Sequence, residues 1–148
     1  MNVVDTVYLL NKLIMTAKNG ESTLRAAAEE AHHPELKTSL YEDSAFFGHA
    51  AEELQAAVRR LGGEPRELGS FDNTLHRTWM HLKSTAFGRD EDMLLDMLDA
   101  DEAQAEREFA RAASEDTGPE IHAMLERQYA GTRQRHGELR IWRQQLQH

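Results

Sequence analysis

The chain has no cysteine, which excludes disulfides and thiolate chemistry and leaves the redox compartment open. It has only three prolines in 148 residues. With so few helix breakers and so much Ala, Leu, Glu, Gln and Arg, an all-α protein is expected. A long apolar run is also missing. Met1 leads straight into Val3, Val4, Asp5 and Thr6 without a basic segment before them, so neither a signal peptide nor a membrane span is legible, and the expected location is the cytoplasm. Positive charge is scarce: the net charge of −9 disfavours a duplex nucleic-acid partner. There is no Ser-His-Asp arrangement, phosphate-cradling glycine loop or dinucleotide fingerprint. Gly62-Gly63 follows a helical pattern rather than a strand, so it reads as a helix stop.

What is present is helical periodicity. A length of 148 residues suits one domain, 1–148, able to bury a core without disulfides. A first helix is expected from about Asp5, capped by Asp5 or Thr6, to Ala31. Its stripe reads Val3, Val7, Leu10, Ile14, Ala17, Glu21, Leu24, Ala28, Ala31, in steps of four and three. His32-His33-Pro34 ends it, and Pro34 suits the first turn of a second helix. That helix carries Leu36, Leu40, Asp43, Phe47, Ala50, Leu54, Ala57 and Leu61 on one face before Gly62-Gly63-Glu64-Pro65 stops it. A long connection over 62–89 has room for a short extra helix with Leu75, Trp79, Leu82 and Ala86 inward. A third long helix begins near Asp90-Glu91-Asp92, acids that favour the positive end of the helix dipole. Its stripe is Leu95, Leu98, Glu102, Ala105, Phe109, Ala112. A fourth helix follows Gly118-Pro119, with Ile121, Leu125, Gln128, Thr132, Arg135, Leu139, Trp142 and Leu146 inward, and His136 beside Thr132.

The two halves echo each other. Pro34-Glu35-Leu36 leads to Leu40 and then Glu53-Leu54; Pro119-Glu120-Ile121 leads to Leu125 and then Glu138-Leu139 at the same spacing. Upstream of each proline lies one stripe glutamate, Glu21 or Glu102. Two αα-hairpins joined by a long crossover make a four-helix bundle of the one-crossover kind. Charge is divided unevenly along it: residues 90–117 carry −9 and residues 119–148 carry +2, so the last two helices should attract each other.

Glu21 and Glu102 pose a chemical question. Ferritin-like di-iron bundles take one Glu from each of two helices and a Glu-x-x-His from each of the other two, because the i, i+3 spacing puts carboxylate and imidazole on one face. Glu21 and Glu102 fit the single-Glu roles. The second helix, however, offers Asp43-x-x-Phe46 and a displaced His49, and the fourth offers Arg133-x-x-His136. The candidate metal ligands are therefore Glu21, Glu102, His136, Asp43 and His49, an incomplete set. A buried acid needs some partner, which is a cation, an arginine, a histidine or a proton. For Glu21 that partner is Arg25, one turn on; for Glu102 it is Arg133, Arg135 or His136 from the fourth helix, with a bound cation as the alternative. His32, His33 and His148 are expected to face solvent. Phe46, off the stripe, is placed to cover the bundle or to join a homodimer interface.

Leu61-Gly62-Gly63-Glu64-Pro65, Leu75-His76-Arg77-Thr78-Trp79-Met80, Gly88-Arg89-Asp90, Asp101-Glu102 and Leu125-Glu126-Arg127-Gln128 together resemble a bacterial family of ferritin-like four-helix-bundle proteins of unknown function, DUF2383. The resemblance implies the ferritin-like fold and brings no agreed catalytic residues. The expected function is that of a non-catalytic structural, stress-related or interaction protein with a degenerate metal site, without a cofactor and as a homo-oligomer, a dimer being favoured. The stress association comes from the resemblance alone. The alternative is a di-metal carboxylate protein, with iron or manganese, of oxidase or metal-handling activity. A third reading has the connecting helix bind a partner helix through Trp79.

Overall fold

A computed structural model describes residues 1–67 and 91–146. They form α1 (Val3–Glu30), α2 (Pro34–Arg60), α3 (Glu91–Ala113) and α4 (Pro119–Leu146), with no strand among the described residues. Within them no helix is long and apolar enough to cross a membrane. The connecting helix expected around Trp79, with His76 and His81, and the terminal His148 lie outside the described residues.

Helix α1 starts two residues earlier than the sequence suggests. Asn2 is the cap: its side-chain oxygen accepts from the backbone N–H of Asp5 at 2.7 Å. Asn is among the best N-caps, so Asp5 instead occupies the first turn, where its charge meets the helix dipole. Prolines occupy the first position of both α2 and α4, where the missing N–H costs nothing. Gly62 and Gly118, at φ +83° and +94°, make the turns that follow α2 and precede α4.

Long-range contacts fix the directions. Thr16 of α1 meets Glu108 of α3, and the backbone N–H groups of His32 and His33, just past α1, donate to Glu91 at the start of α3. The two helices are therefore antiparallel. Asp43, Glu53 and Arg60 of α2 pair with Arg135, Arg127 and Glu120 of α4, which makes α2 and α4 antiparallel as well. Each of α1 and α4 borders both α2 and α3 or their partners around a common axis: α1 packs on α2 and α3, and α4 packs on α3 and α2.

The apolar stripes meet inside. Leu10, Ile14, Leu24, Leu36, Leu40, Phe47, Leu54, Leu95, Leu98, Phe109, Leu125 and Leu139 are all buried in one cluster. Val3 lies outside it and is exposed. As the charge division suggests, α3 and α4 are laced by Asp96–Arg143, Asp99–Arg140 and Asp99–Arg143 pairs.

Small residues set how closely the helices approach. A Cβ on Gly20 of α1 would meet the Phe47 ring at 3.2 Å, and one on Gly131 of α4 would meet Phe46 Cε1 at 2.5 Å. Phe46 thus seats its ring on the α4 backbone. It also stands edge-on to Phe47, with centroids 5.3 Å apart, so it covers the bundle. We expect Gly131→Ala to force these helices apart or push Phe46 off its rotamer, lowering stability by about 1–3 kcal/mol. Chemical denaturation checks this, and Phe46→Leu in the same chain should recover part of the loss.

Candidate functional site

The polar middle of the bundle is built by α2, α3 and α4. Asp43 projects inward from α2 and is 1% exposed. It stands on the stripe between Leu40 and Phe47, one turn from each, so the helical period that buries those residues buries it too. From α4, Arg135 Nη1 donates to Asp43 Oδ1 at 2.9 Å. The same guanidinium lies 5.0 Å from the centroid of the Phe46 ring, a cation–π position that adds to the ion pair. Burial still dominates: it pushes the Asp43 carboxyl up to about 6 even though the Arg135 hydrogen bond and charge pull the other way.

Glu102 of α3 is buried at 4% exposure, and both carboxylate oxygens lack a hydrogen-bond partner among the described residues. Burial raises its pKa well above the usual carboxylate range. Asp43 and Asp99 add to the rise, and Arg135 opposes it. Burial therefore favours the neutral form of this acid. Arg135, expected near it, spends its hydrogen bond on Asp43, and Arg133 faces solvent.

His136 does not serve Glu102. It is buried at 3% exposure between two other acids: Nε2 lies 2.8 Å from Asp99 and Nδ1 3.1 Å from Glu106. An imidazole with a carboxylate on each side satisfies both when both nitrogens carry protons. Asp99 gathers Arg140 and Arg143 as well, at 3.3 and 3.0 Å. Burial alone would raise Asp99, but the hydrogen bonds from His136 and Arg140 outweigh it and hold the carboxyl below its ordinary value.

Glu21 departs furthest from expectation. It stands on the α1 stripe yet is only half-buried, its side chain 25% exposed, with Lys18 and Arg25 each at 3.9 Å. Gly48 of α2 explains the placement: a Cβ there would collide with Glu21 Oε2, so the missing side chain gives the carboxylate a track across α2 toward water. The backbone carbonyl of Glu21 accepts from Ser44 Oγ at 2.8 Å. His49 is exposed on the outer face of α2, because it stands two residues past buried Phe47. Of the five candidate ligands, then, Glu102 and Asp43 share the interior, His136 is engaged by Asp99 and Glu106, and Glu21 and His49 point elsewhere. Among the described residues no three His, Asp or Glu side chains converge to hold a metal ion.

Three participants escaped the sequence reading. Asp99 and Glu106 flank the α3 stripe, within the acidic segment 90–117. Asn19 neighbours Gly20 on α1, and its Oδ1 is buried without a partner. The signal available for the first two was the i, i+7 spacing on the side of α3 next to the cationic helix.

A cleft opens beside Glu102, between α1 and α3. It encloses about 280 Å³, with Leu24, Phe47, Leu98 and Ala105 as apolar walls and Asn19 and Glu102 supplying polar atoms.

The two stripe glutamates should answer the same substitution differently. For Glu102, the sign is set by a raised folded-state pKa: the folded form holds a proton that the unfolded form has lost, so this acid's contribution is present below about 4.5 and is lost as pH rises toward the folded value. Glu102→Gln should therefore gain stability relative to the parent as pH rises above that point, by up to ~1.4 kcal/mol per unit. Urea denaturation between pH 4.5 and 8 measures it; a flat difference would contradict a protonated Glu102. Glu21→Gln should change stability by less than about 1 kcal/mol, as for a solvated ion pair. Arg135→Met strands Asp43 in the core and should cost ~3 kcal/mol at neutral pH; because Arg135 holds the Asp43 carboxyl down at about 6, the variant takes up the proton at higher pH, so the cost shrinks as pH falls toward 6.

No curated protein matches the chain. The model of a domain of unknown function, DUF2383, matches residues 5–115. The matched span holds Glu21, Asp43, Asp99 and Glu102, while Arg135 and His136, which answer these acids from α4, lie beyond it. With nearly all of α1 and the whole of α2 and α3 inside that span, this acid-bearing helical chain belongs to the DUF2383 family.

Proposed function

We propose that the protein is a ferritin-like bundle in which an arginine has taken the place of the metal, and that it works as a non-catalytic structural or interaction module. The carrying observation is the Arg135 guanidinium, held on buried Asp43 at 2.9 Å and stacked on Phe46. A di-metal centre brings carboxylates together and neutralises them with ions. Here the neutralising charge is covalent and permanent, since an arginine in a protein keeps its proton. Burial shifts Glu102 toward its neutral form, and Asp99 of α3 is taken by His136, Arg140 and Arg143.

The ferritin-like, one-crossover topology is supported by the helix directions. Arg60 closes α2 beside Glu120, whereas Glu91 opens α3 beside His32 and His33, at the other end of the bundle. The homodimer rests on exposed apolar residues of α1, Val3, Val4 and Tyr8, at 54, 76 and 68% exposure. The cytoplasmic location and a link to stress rest on the reading of the sequence and its family resemblance.

Elemental analysis tests the proposal. Protein made with iron or manganese supplied, and purified without a tag or chelator, should carry no stoichiometric metal. One or two equivalents, lost in Glu21→Ala and Glu102→Ala, would establish the di-metal carboxylate alternative instead.

A further inference from the structure

We infer that the cleft between α1 and α3 is a binding site for a short primary aliphatic ammonium ion. Its head group would donate to Glu102 and Asn19, and its chain would lie against Leu24, Phe47 and Leu98. This goes beyond the structural role proposed above and does not depend on it.

The inference starts from what the cleft leaves unpaired. Three oxygens near it have no donor among the described residues: Oε1 and Oε2 of Glu102 and Oδ1 of Asn19. Both residues line the cleft, and Glu102 is 4% exposed. Buried acceptors of this kind are uncommon and costly, because each has given up its water without a replacement. The donors that also line the cleft, on Thr16, Thr23 and Gln104, leave these oxygens unpaired. Asp101 and Glu108 also line the cleft, and Glu108 is already engaged as an acceptor by Thr16 and Gln104. A matching ligand must therefore bring the donors. An ammonium head brings three, with the sign of charge that the acids favour.

The walls specify the rest. They are predominantly apolar, so a fully hydrated ion gains little there, whereas an alkyl chain loses water on both sides of the contact. The volume of about 280 Å³ lies at the small end of ligand sites, which selects a short chain. A metal ion fits poorly, because no three acidic or imidazole side chains converge among the described residues. An alkyl carboxylate would place like charges together.

Proton balance gives the binding a signature. The charged groups acting on Glu102 are Asp43 from α2, Arg135 from α4, and Asp99 and Asp101 on its own helix; α1 faces it with the Asn19 amide. Without a ligand, burial and the neighbouring acids favour the protonated form of Glu102. When an alkylammonium docks, the carboxyl gives that proton to bulk water and becomes the counterion, while the ligand keeps all three of its own. One proton is released for each ligand bound, and the binding constant should rise with pH by up to ten-fold per unit.

The experiment titrates the intact protein with n-pentylamine, n-pentanol and n-pentanoate at pH 6, 7 and 8, followed by amide NMR shifts and by calorimetry in two buffers of different ionisation enthalpy. Pentylammonium should bind in preference to the other two, shift residues around Asn19 and Glu102, release close to one proton, and bind more tightly as pH rises. Glu102→Gln should weaken binding at pH 8 at least ten-fold and abolish its pH dependence. Ala105→Leu, which fills the cleft and leaves the Glu102 carboxyl in the chain, should abolish binding while the far-ultraviolet spectrum stays that of the parent. Equal binding of pentanol and pentylammonium without proton release would show an unselective apolar cleft and overturn the inference. So would the absence of any shift at millimolar ligand. The measurements on the parent chain decide the matter even if neither variant folds.

Discussion

A carboxylate drawn into a helical bundle must find a cation, a proton or a donor before the bundle can close around it. The interior of this protein answers that constraint in three ways at neighbouring positions. Asp43 takes the Arg135 guanidinium, Glu102 is shifted toward its protonated form, and Asp99 collects His136 together with two arginines. Their positions are linked: Arg135 reaches Asp43 and so does not neutralise Glu102, and His136, turned to Asp99 and Glu106, leaves Glu102 to burial. The solution for each acid limits the solutions open to the next.

The same constraint accounts for the division of labour among the helices. Helix α3 carries the acids and α4 the cations, and the register between them is specified by charge at Asp96, Asp99 and Glu106. By contrast α1 and α2 meet through apolar side chains and through glycines that admit a neighbour, Gly20 under Phe47 and Gly48 under Glu21. One hairpin is therefore cemented by packing and the other by packing plus ion pairing, although the sequence repeats the same proline and stripe spacing in both.

The helices, their ends and most of the core were legible because they follow from local rules. The 3.6-residue period picks out Leu95, Leu98, Phe109 and Leu139, and prolines with glycines mark the turns. The site was legible only in part. Asp43 and Glu102 are interior by period alone. Glu21 has the same period and escapes, because the absence of a side chain at Gly48, on another helix, opens a way out. Arg135 is inward by period, but which acid it meets is not set by period: it reaches Asp43 on α2 beside Phe46, whose ring packs on Gly131. Such pairings depend on the relative rotation of two helices, which no single helix encodes.

The burial pattern of α4 has a consequence for how firmly it is held. Its buried apolar side chains are Met124, Leu125 and Leu139, while Arg127, Arg135, His136, Arg140 and Arg143 bind acids on its two neighbours. Oil holds α1 and α2 in place at any ionic strength. Much of what fastens α4 is partly exposed charge, which dissolved salt screens over a distance of about 10 Å at 0.1 M. The bundle thus has one wall whose grip varies with the ionic composition of its surroundings, and that wall carries the counterion of Asp43.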